Sequence, residues 1–258
     1  MLGGTELYRI NGRDYPIGKE QYLLTNAFTS GEVIIDSGQY VNGLCIELSP
    51  ALLAETLAIF HAPDSPYPQK DFYDFLTTSD FFEKDHNAGN TNMGKYLLQA
   101  TPLLTSGGLD DELRLGEFFY GLAEQLITDQ QELYKYYGSF ESVKSSTKKD
   151  LLRRLLKGKE LMDDCYTEKI SITEIARAAT MSEYYFLRLF KKTFNCSPHR
   201  YLVNKRMQKA DGLLQEGHTS VADIAYCCGF PDIHAFSKAY KKEFGTSPSK
   251  ERKKTAKD

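Results

Sequence analysis

Hydrophobic positions follow two different rhythms along this chain of 258 residues. Over the first hundred residues they come in short runs: Tyr22-Leu23-Leu24, Val33-Ile34-Ile35 and Leu44-Cys45-Ile46-Glu47-Leu48. The runs are bounded by Asn11-Gly12, Ser30-Gly31, Ser37-Gly38 and Asn42-Gly43. Short apolar runs between such turn dipeptides predict strands of an antiparallel barrel or sandwich. Residues 49–60 predict a short helix with Pro50 in its first turn, where the missing N–H has no intrahelical role. The Pro-, Asp- and aromatic-rich stretch 63–92 carries no clear period. From about Leu109 the period becomes helical, with Leu113, Phe118, Leu122, Leu126, Leu133 and Tyr137 on one stripe over 110–137. The Gly/Ser-rich segment 138–147 reads as a linker, followed by a basic helix over 148–166.

The C-terminal part repeats itself. Ser171-Ile172-Thr173-Glu174-Ile175-Ala176 aligns with Ser220-Val221-Ala222-Asp223-Ile224-Ala225 at an offset of 49. Past the turn the offset is 50: Phe186 falls on Phe236, Arg188 on Lys238, Phe190 on Tyr240, Lys191-Lys192 on Lys241-Lys242, Phe194 on Phe244, and Ser197-Pro198 on Ser247-Pro248. Two copies are too few for a solenoid, which needs at least three to bury its faces. They predict two equivalent small helical units, about 171–194 and 220–244, joined by a helix over 198–214.

Each unit reads as a helix-turn-helix. Ile172, Ile175 and Ala176 form the inner face of a short first helix, with the small Ala176 where a second helix crosses. Ser182 is placed to cap that second helix. In the second unit Ala225 repeats the small residue, Gly229 supplies the turn and Asp232 the cap. In this motif the second helix enters the major groove while the first braces across the backbone. Phe186, Leu189, Phe190 and Phe194, with Phe236, Ala239, Tyr240 and Phe244, predict the inner faces of the second helices.

The opposite stripe holds the candidate base-reading residues: Tyr184, Leu187, Arg188 and Lys191 in the first unit, His234, Ser237, Lys238 and Lys241 in the second. Arg188 suits bidentate contact with guanine, a geometry that Lys238 imitates less rigidly. Tyr184 and Leu187 offer apolar contact to thymine methyls. Ser182, Lys192 and Lys242 lie at the flanks and suit phosphate. A basic stripe alone is usually a solvated helix face; its recurrence at equivalent positions in both copies argues for a DNA-reading role. The joining helix, about 17 residues long at ~1.5 Å per residue, spans roughly 25 Å. That is close to the ~34 Å between successive major grooves on one duplex face. A shortfall would be met by bending the DNA, at a cost of a few kcal/mol.

Charge supports the division. Residues 1–146 hold 9 Lys/Arg against 21 Asp/Glu, a net −12, and residues 147–258 hold 23 against 14, a net +9. One half suits a polyanionic partner and the other does not. With 41% hydrophobic residues the chain has enough apolar surface for a sizeable core. Cys45, Cys165, Cys196, Cys227 and Cys228 are odd in number and show no CxxC pairing, so neither a disulfide framework nor a zinc site reads out. No leader or membrane-length apolar run is seen, which predicts a soluble, cytoplasmic protein.

Ala176, Ser182, Arg188-Leu189-Phe190-Lys191-Lys192, Ser197-Pro198, Arg206, Ala210, Leu214, Ile224-Ala225, Gly229-Phe230, Phe236-Ser237-Lys238 and Ser247-Pro248 together carry a family pattern. The region from about Asp150 to Arg252 resembles the DNA-binding domain of the AraC/XylS family of bacterial transcription regulators. The resemblance implies two helix-turn-helix subdomains on adjacent major-groove segments of a promoter, in a protein that is most often an activator recruiting RNA polymerase. Three positions depart from the pattern. Asn195 replaces a usual Gly, Ala235 a common aromatic, and Tyr240 a Phe.

Through Tyr15-Pro16, residues 22–26 and the 44–48 run, the N-terminal part is similar to the cupin-like sensor domain of such regulators, with early strands missing. The resulting expectation is an α+β multidomain chain. It comprises a truncated antiparallel β-barrel sensor over 1–108, a helical dimerisation segment and linker over 109–146, and an all-α DNA-binding domain over 147–258. The resemblance implies that the helices over 110–137 serve a homodimer and that the sensor binds a small-molecule effector. The alternative for their apolar stripe is packing against their own barrel, and the residues themselves call for no metal or other cofactor. Tyr40, Tyr67, Phe72, Tyr73, Phe75, Phe81 and Phe82 either line an effector pocket or form plain core, the second being commoner.

Three rival classes stand against a regulator. A metal-dependent cupin enzyme needs converging histidines and a carboxylate, and the first half offers only His61 and His86, in loop-like segments. A non-specific nucleic-acid-binding protein would show steep salt dependence and no preferred site. A pure interaction module has no use for two cation-bearing recognition helices.

Overall fold

The structure is a computed structural model that describes residues 1–34, 40–60, 68–106, 111–140 and 144–255. Ile35, the Ser37-Gly38 turn, His61, Tyr67, residues 107–110 and the middle of the expected linker lie outside the described residues. Internal contacts divide the chain into Met1–Gly138 and Ser139–Asp258.

The N-terminal region begins with β1 (Glu6–Ile10) and β2 (Arg13–Ile17), followed by β3 (Gln21–Leu24) and β4 (Gly31–Ile34), with β5 (Lys84–Asn87) further on. β1 and β2 form a hairpin in which Tyr8 faces Tyr15. Asn11 and Gly12 at its tip have φ of +50° and +73°, as a two-residue turn twisted to match the strands requires. The strands make two small antiparallel sheets, one ordered β2-β1-β4 and one pairing β3 with β5.

The expected barrel is therefore corrected: among the described residues neither sheet closes. The strands are four or five residues long and β4 is exposed throughout. On the sheet side only Ile10, Tyr15 and Ile17 make a buried cluster. The 44–48 run is not a strand either. One isolated bridge joins Gly3 to Asn42, Leu44 is exposed, and Ile46 and Leu48 pack on a helical core instead.

Helices carry most of this region. α1 (Pro50–Phe60) forms as expected, and α4 (Glu112–Gly138) buries Phe118, Leu122, Leu126, Leu133 and Tyr137. Leu113, expected on that stripe, is 69% exposed because it lies in the first turn of α4, ahead of the packed face. Two helices were not anticipated, α2 (Gln69–Thr77) and α3 (Asn92–Ser106). α3 carries an internal Pro102, and its N-terminus is capped from another helix. The Asp129 carboxylate on α4 accepts from the Asn92 and Met93 amides at 3.1 and 2.9 Å. Thr91 also caps it locally, its hydroxyl accepting from the Gly94 amide at 3.0 Å, but Gly94 and Pro102 within the helix lower its propensity. Phe72, Phe75, Phe81 and Phe82 are core, with Phe72 and Phe75 against Tyr134 on α4, whereas Tyr40 is exposed.

The C-terminal domain is all helix: α5 (Ser145–Cys165), α6 (Ile172–Ala178), α7 (Glu183–Phe194), α8 (Pro198–Glu216), α9 (Val221–Cys227), α10 (Ile233–Phe244) and α11 (Pro248–Thr255). α5 is amphipathic rather than merely basic, burying Leu152, Leu155, Leu156 and Met162. Gly158 on α5 admits Phe186 of α7 so closely that a Cβ there would lie 2.6 Å from the ring. The second unit has its own core of Met207, Ala210, Leu214, Ile224, Ala225, Cys228, Phe236 and Tyr240.

Candidate nucleic-acid interface

The duplication holds at the level of single hydrogen bonds. In the first turn the Ala179 amide donates to Ile175 O at 2.9 Å and the Met181 amide to Ala176 O at 2.9 Å. Forty-nine residues later Cys228 donates to Ile224 O at 3.0 Å and Phe230 to Ala225 O at 3.0 Å. The residue that reverses the chain is left-handed in both, Thr180 at φ +55° and Gly229 at φ +74°.

Caps repeat as well. Ser171 forms a full capping box with Glu174, and Ser220 accepts from the Asp223 amide. Ser182 and Asp232 cap α7 and α10 by accepting from Tyr185 N at 3.4 Å and Ala235 N at 2.7 Å. Both helices end on a left-handed residue, Asn195 and Gly245, so the Asn departure fits the backbone the position demands.

Inside each second helix the aromatic ladder is the same. Phe186–Phe190 and Phe236–Tyr240 centroids lie 5.4 and 5.7 Å apart, and Phe190–Phe194 and Tyr240–Phe244 lie 4.4 and 4.5 Å apart. Phe186, Leu189, Phe190, Phe236 and Tyr240 are buried as expected. Phe244 is a correction: it is 41% exposed, since it ends α10 with one ring face on Tyr240 and the other in water. The Tyr240 departure is accommodated, because its hydroxyl donates to Asp211 on α8 at 2.7 Å.

With the inner face filled, the outer face turns to solvent. Tyr184, Arg188, Lys191, Lys192 and Ser182 are exposed on α7 and its cap, as are His234, Lys238, Lys241 and Lys242 on α10; Leu187 and Ser237 are half-buried. No ion pair among the described residues engages these cations. The Arg188 guanidinium lies over the Tyr185 ring at 5.5 Å, its donors still available.

α8 ties the two units together largely through charged residues that hydrophobic periodicity does not mark. Asp163 on α5 accepts from Tyr201 at 2.7 Å and pairs with Lys205 at 2.9 Å and Lys159 at 3.0 Å. Burial pushes the Asp163 carboxyl up, but the hydrogen bonds from Tyr201 and Lys205 and the Lys159 charge outweigh it and hold the pKa below its ordinary value. On the other flank Arg200 pairs with Glu243 on α10 at 2.6 Å. Of these, Tyr201 is legible in the sequence as part of the apolar side of the joining helix, but its partner Asp163 is not.

In the N-terminal region the candidate metal ligand His86 is not in a loop. It sits on β5, opposite Tyr22, with the rings stacked at 5.1 Å. Burial, aided by Lys84, brings its pKa down to about 4. Among the described residues no group of three or more His, Cys, Asp or Glu is placed to share a metal ion. Nor, among them, is any helix long and apolar enough to cross a membrane.

The geometry defines a DNA-binding domain of two helix-turn-helix units on a common helical frame. Residues 175–254 match the family described as a helix-turn-helix domain. The chain is 37% identical over 95 residues to the Msm operon regulatory protein of Streptococcus mutans, covering 37% of this chain and 34% of that protein. It is 34% identical over 87 residues to the HTH-type transcriptional activator RhaS of Escherichia coli, covering 34% of this chain and 31% of that one. Among solved structures, a transcriptional regulator with an AraC-type DNA-binding domain from Chromobacterium violaceum is 31% identical, covering 40% of this chain and 93% of that one at a TM-score of 0.37. Over its C-terminal domain the chain is thus similar to helix-turn-helix transcription regulators. The chain spans about a third of the length of the curated relatives it matches.

Proposed function

We propose that the chain is a sequence-specific transcription regulator that lays α7 and α10 into adjacent major-groove segments of a promoter. The observation that carries the reading is the register-equivalent pair of outer faces, Tyr184, Leu187, Arg188 and Lys191 against His234, Ser237, Lys238 and Lys241. The inner face of each helix is filled by aromatics. With the core occupied and the cations in water, the available partner for both faces is a polyanion with edges to read. Ser182, Lys192 and Lys242 supply phosphate contacts that set the register.

The whole-protein role follows from the resemblance: an activator that contacts RNA polymerase, acts as a homodimer in the cytoplasm and answers to a small effector. Self-association is supported by apolar side chains left in water on α1 and α4, which meet where Tyr120 donates to Glu55. Ile59 on α1 and Leu113 and Leu115 on α4 are exposed. An open cleft of about 400 Å³ between α3 and α4, lined by Tyr96, Ala100, Leu103 and Phe118, has room for a small molecule.

Selection of binding sites from randomised DNA, followed by footprinting, tests the reading. A regulator of this kind yields one motif with two conserved blocks on one duplex face. Uniform protection that vanishes with salt for every sequence alike would instead assign a non-specific nucleic-acid-binding protein.

A further inference from the structure

The two units also meet through Arg206 and Gly229, residues that belong to neither outer face. Arg206, midway along α8, reaches back to the end of α5, where Nε donates to Tyr166 O at 2.6 Å and Nη2 to Glu168 O at 3.0 Å. Tyr166 is the C-cap of α5, so these carbonyls lie at a helix C-terminus that wants donors and positive charge. The guanidinium also lies 5.8 Å from the centroid of Phe230, the residue that leaves the second turn. Between the two contacts, Gly229 packs on the same loop: a Cβ there would be 2.4 Å from Thr167 O. Phe230 in turn rests on Phe236 of α10, at 5.4 Å between centroids.

A continuous path of contacts therefore runs from α5, which packs on α7, through three consecutive residues, 166–168, to the turn that launches α10. Desolvation draws the half-buried guanidinium below its ordinary pKa, and the two carbonyls are the acceptors its Nε and Nη2 find in place of water. α8 belongs to the second unit's own core through Met207, Ala210 and Leu214. Whatever holds α8 and the second turn against the end of α5 therefore sets the angle of the whole second unit. Tyr201 and Lys205 hold the first half of α8 to α5, and Arg206 with the Gly229 turn extends that hold to the residues after α5.

We propose that Arg206 is a positioning residue that sets the angle between α7 and α10 by seating the second turn on the carbonyls that follow α5. This rests on the tandem-recognition reading above. Arg206 itself faces away from DNA; it acts through the register of two helices on one duplex.

The probe is a duplex selected from randomised DNA by the full-length wild-type chain. It is compared with versions in which either block is scrambled or two base pairs are added between the blocks. Wild type should bind the intact duplex at least about tenfold tighter than a single-block one, and lose that gain when the spacing changes. Arg206→Met should forfeit most of the gain, bind single-block duplexes within about twofold of wild type, and discriminate spacing poorly. Arg206→Lys, able to reach one carbonyl at a time, should fall between. Circular dichroism reports folding, and if the Met variant does not fold, the Lys variant decides on the same readouts. Variants as demanding of spacing as wild type would overturn the role of Arg206, and so would an equal loss on every duplex, the mark of a merely structural residue. A wild type that gains nothing from the second block would overturn tandem recognition itself, a result distinct from either.

Discussion

The Tyr240 hydroxyl of α10 donates to Asp211 of α8 at 2.7 Å, from a ring that is fully buried. The equivalent residue in the first unit is Phe190, which has no hydroxyl; there Tyr201 of α8 packs edge-on at 5.6 Å and sends its own hydroxyl to Asp163 of α5. Each recognition helix is thus fastened through α8 by one aromatic and one carboxylate, assembled differently in the two copies.

Tyr240→Phe should lower stability by about 1 kcal/mol, because half-buried Asp211 regains water when the donor is lost. Burial, then the bond to Asp211, raise the Tyr240 pKa above its ordinary value. A raised folded-state pKa contributes stability that is full below pH 10 and lost as pH rises beyond it. The variant should therefore show a flatter alkaline limb in denaturant melts taken from neutral pH upward. An unchanged limb would sink this role.

Asp163→Asn should remove the charge on which Lys159, Lys205 and Tyr201 converge, at a cost of about 1–2 kcal/mol. The Asp163 pKa lies below the ordinary carboxylate value, so its contribution is present above about pH 4 and lost as pH falls through the folded-state pKa. Acid titration of the melting temperature should show a shallower decline for the variant than for wild type.

Gly158→Ala would gain up to about 1 kcal/mol of helix propensity on α5. Against that, its methyl would meet the buried Phe186 ring at 2.6 Å and force repacking beneath α7, costing about 1–3 kcal/mol. The net should be destabilising, read as a lower melting temperature together with weaker binding to the block read by α7.

Arg188→Ala should weaken specific binding by about 1–3 kcal/mol and relax preference at one base pair. Lys192→Ala should weaken all sites alike and reduce the salt slope by about one unit. Affinity measured across single-base variants at several salt concentrations separates the two; a uniform loss for Arg188→Ala would remove it from base reading.

The C-terminal domain was legible because its information is local. Caps such as Ser171, Ser182, Ser197 and Asp232, the Gly229 turn and the aromatic spacing Phe186–Phe190 act within a few residues, and the repeat displays each signal twice. The N-terminal region was read less well, for a physical reason that two cases show. α3 has a local cap in Thr91, but Gly94 and Pro102 interrupt its helical pattern, and Asp129, some 36 residues away on α4, helps to hold its N-terminus. Leu44, Ile46 and Leu48 alternate like a strand, yet Ile46 and Leu48 find their apolar partner in helices.

By itself the sequence determined two copies of one helical unit, which face of each second helix is apolar, and where the positive charge lies, since all three follow from period and composition. Tertiary structure alone decided how the copies are held. Arg206 on the α5 carbonyls, Asp163 between α5 and α8, and Gly158 under Phe186 join residues 28 to 42 positions apart. Contacts at that separation leave no periodic trace, because only folding brings the partners together.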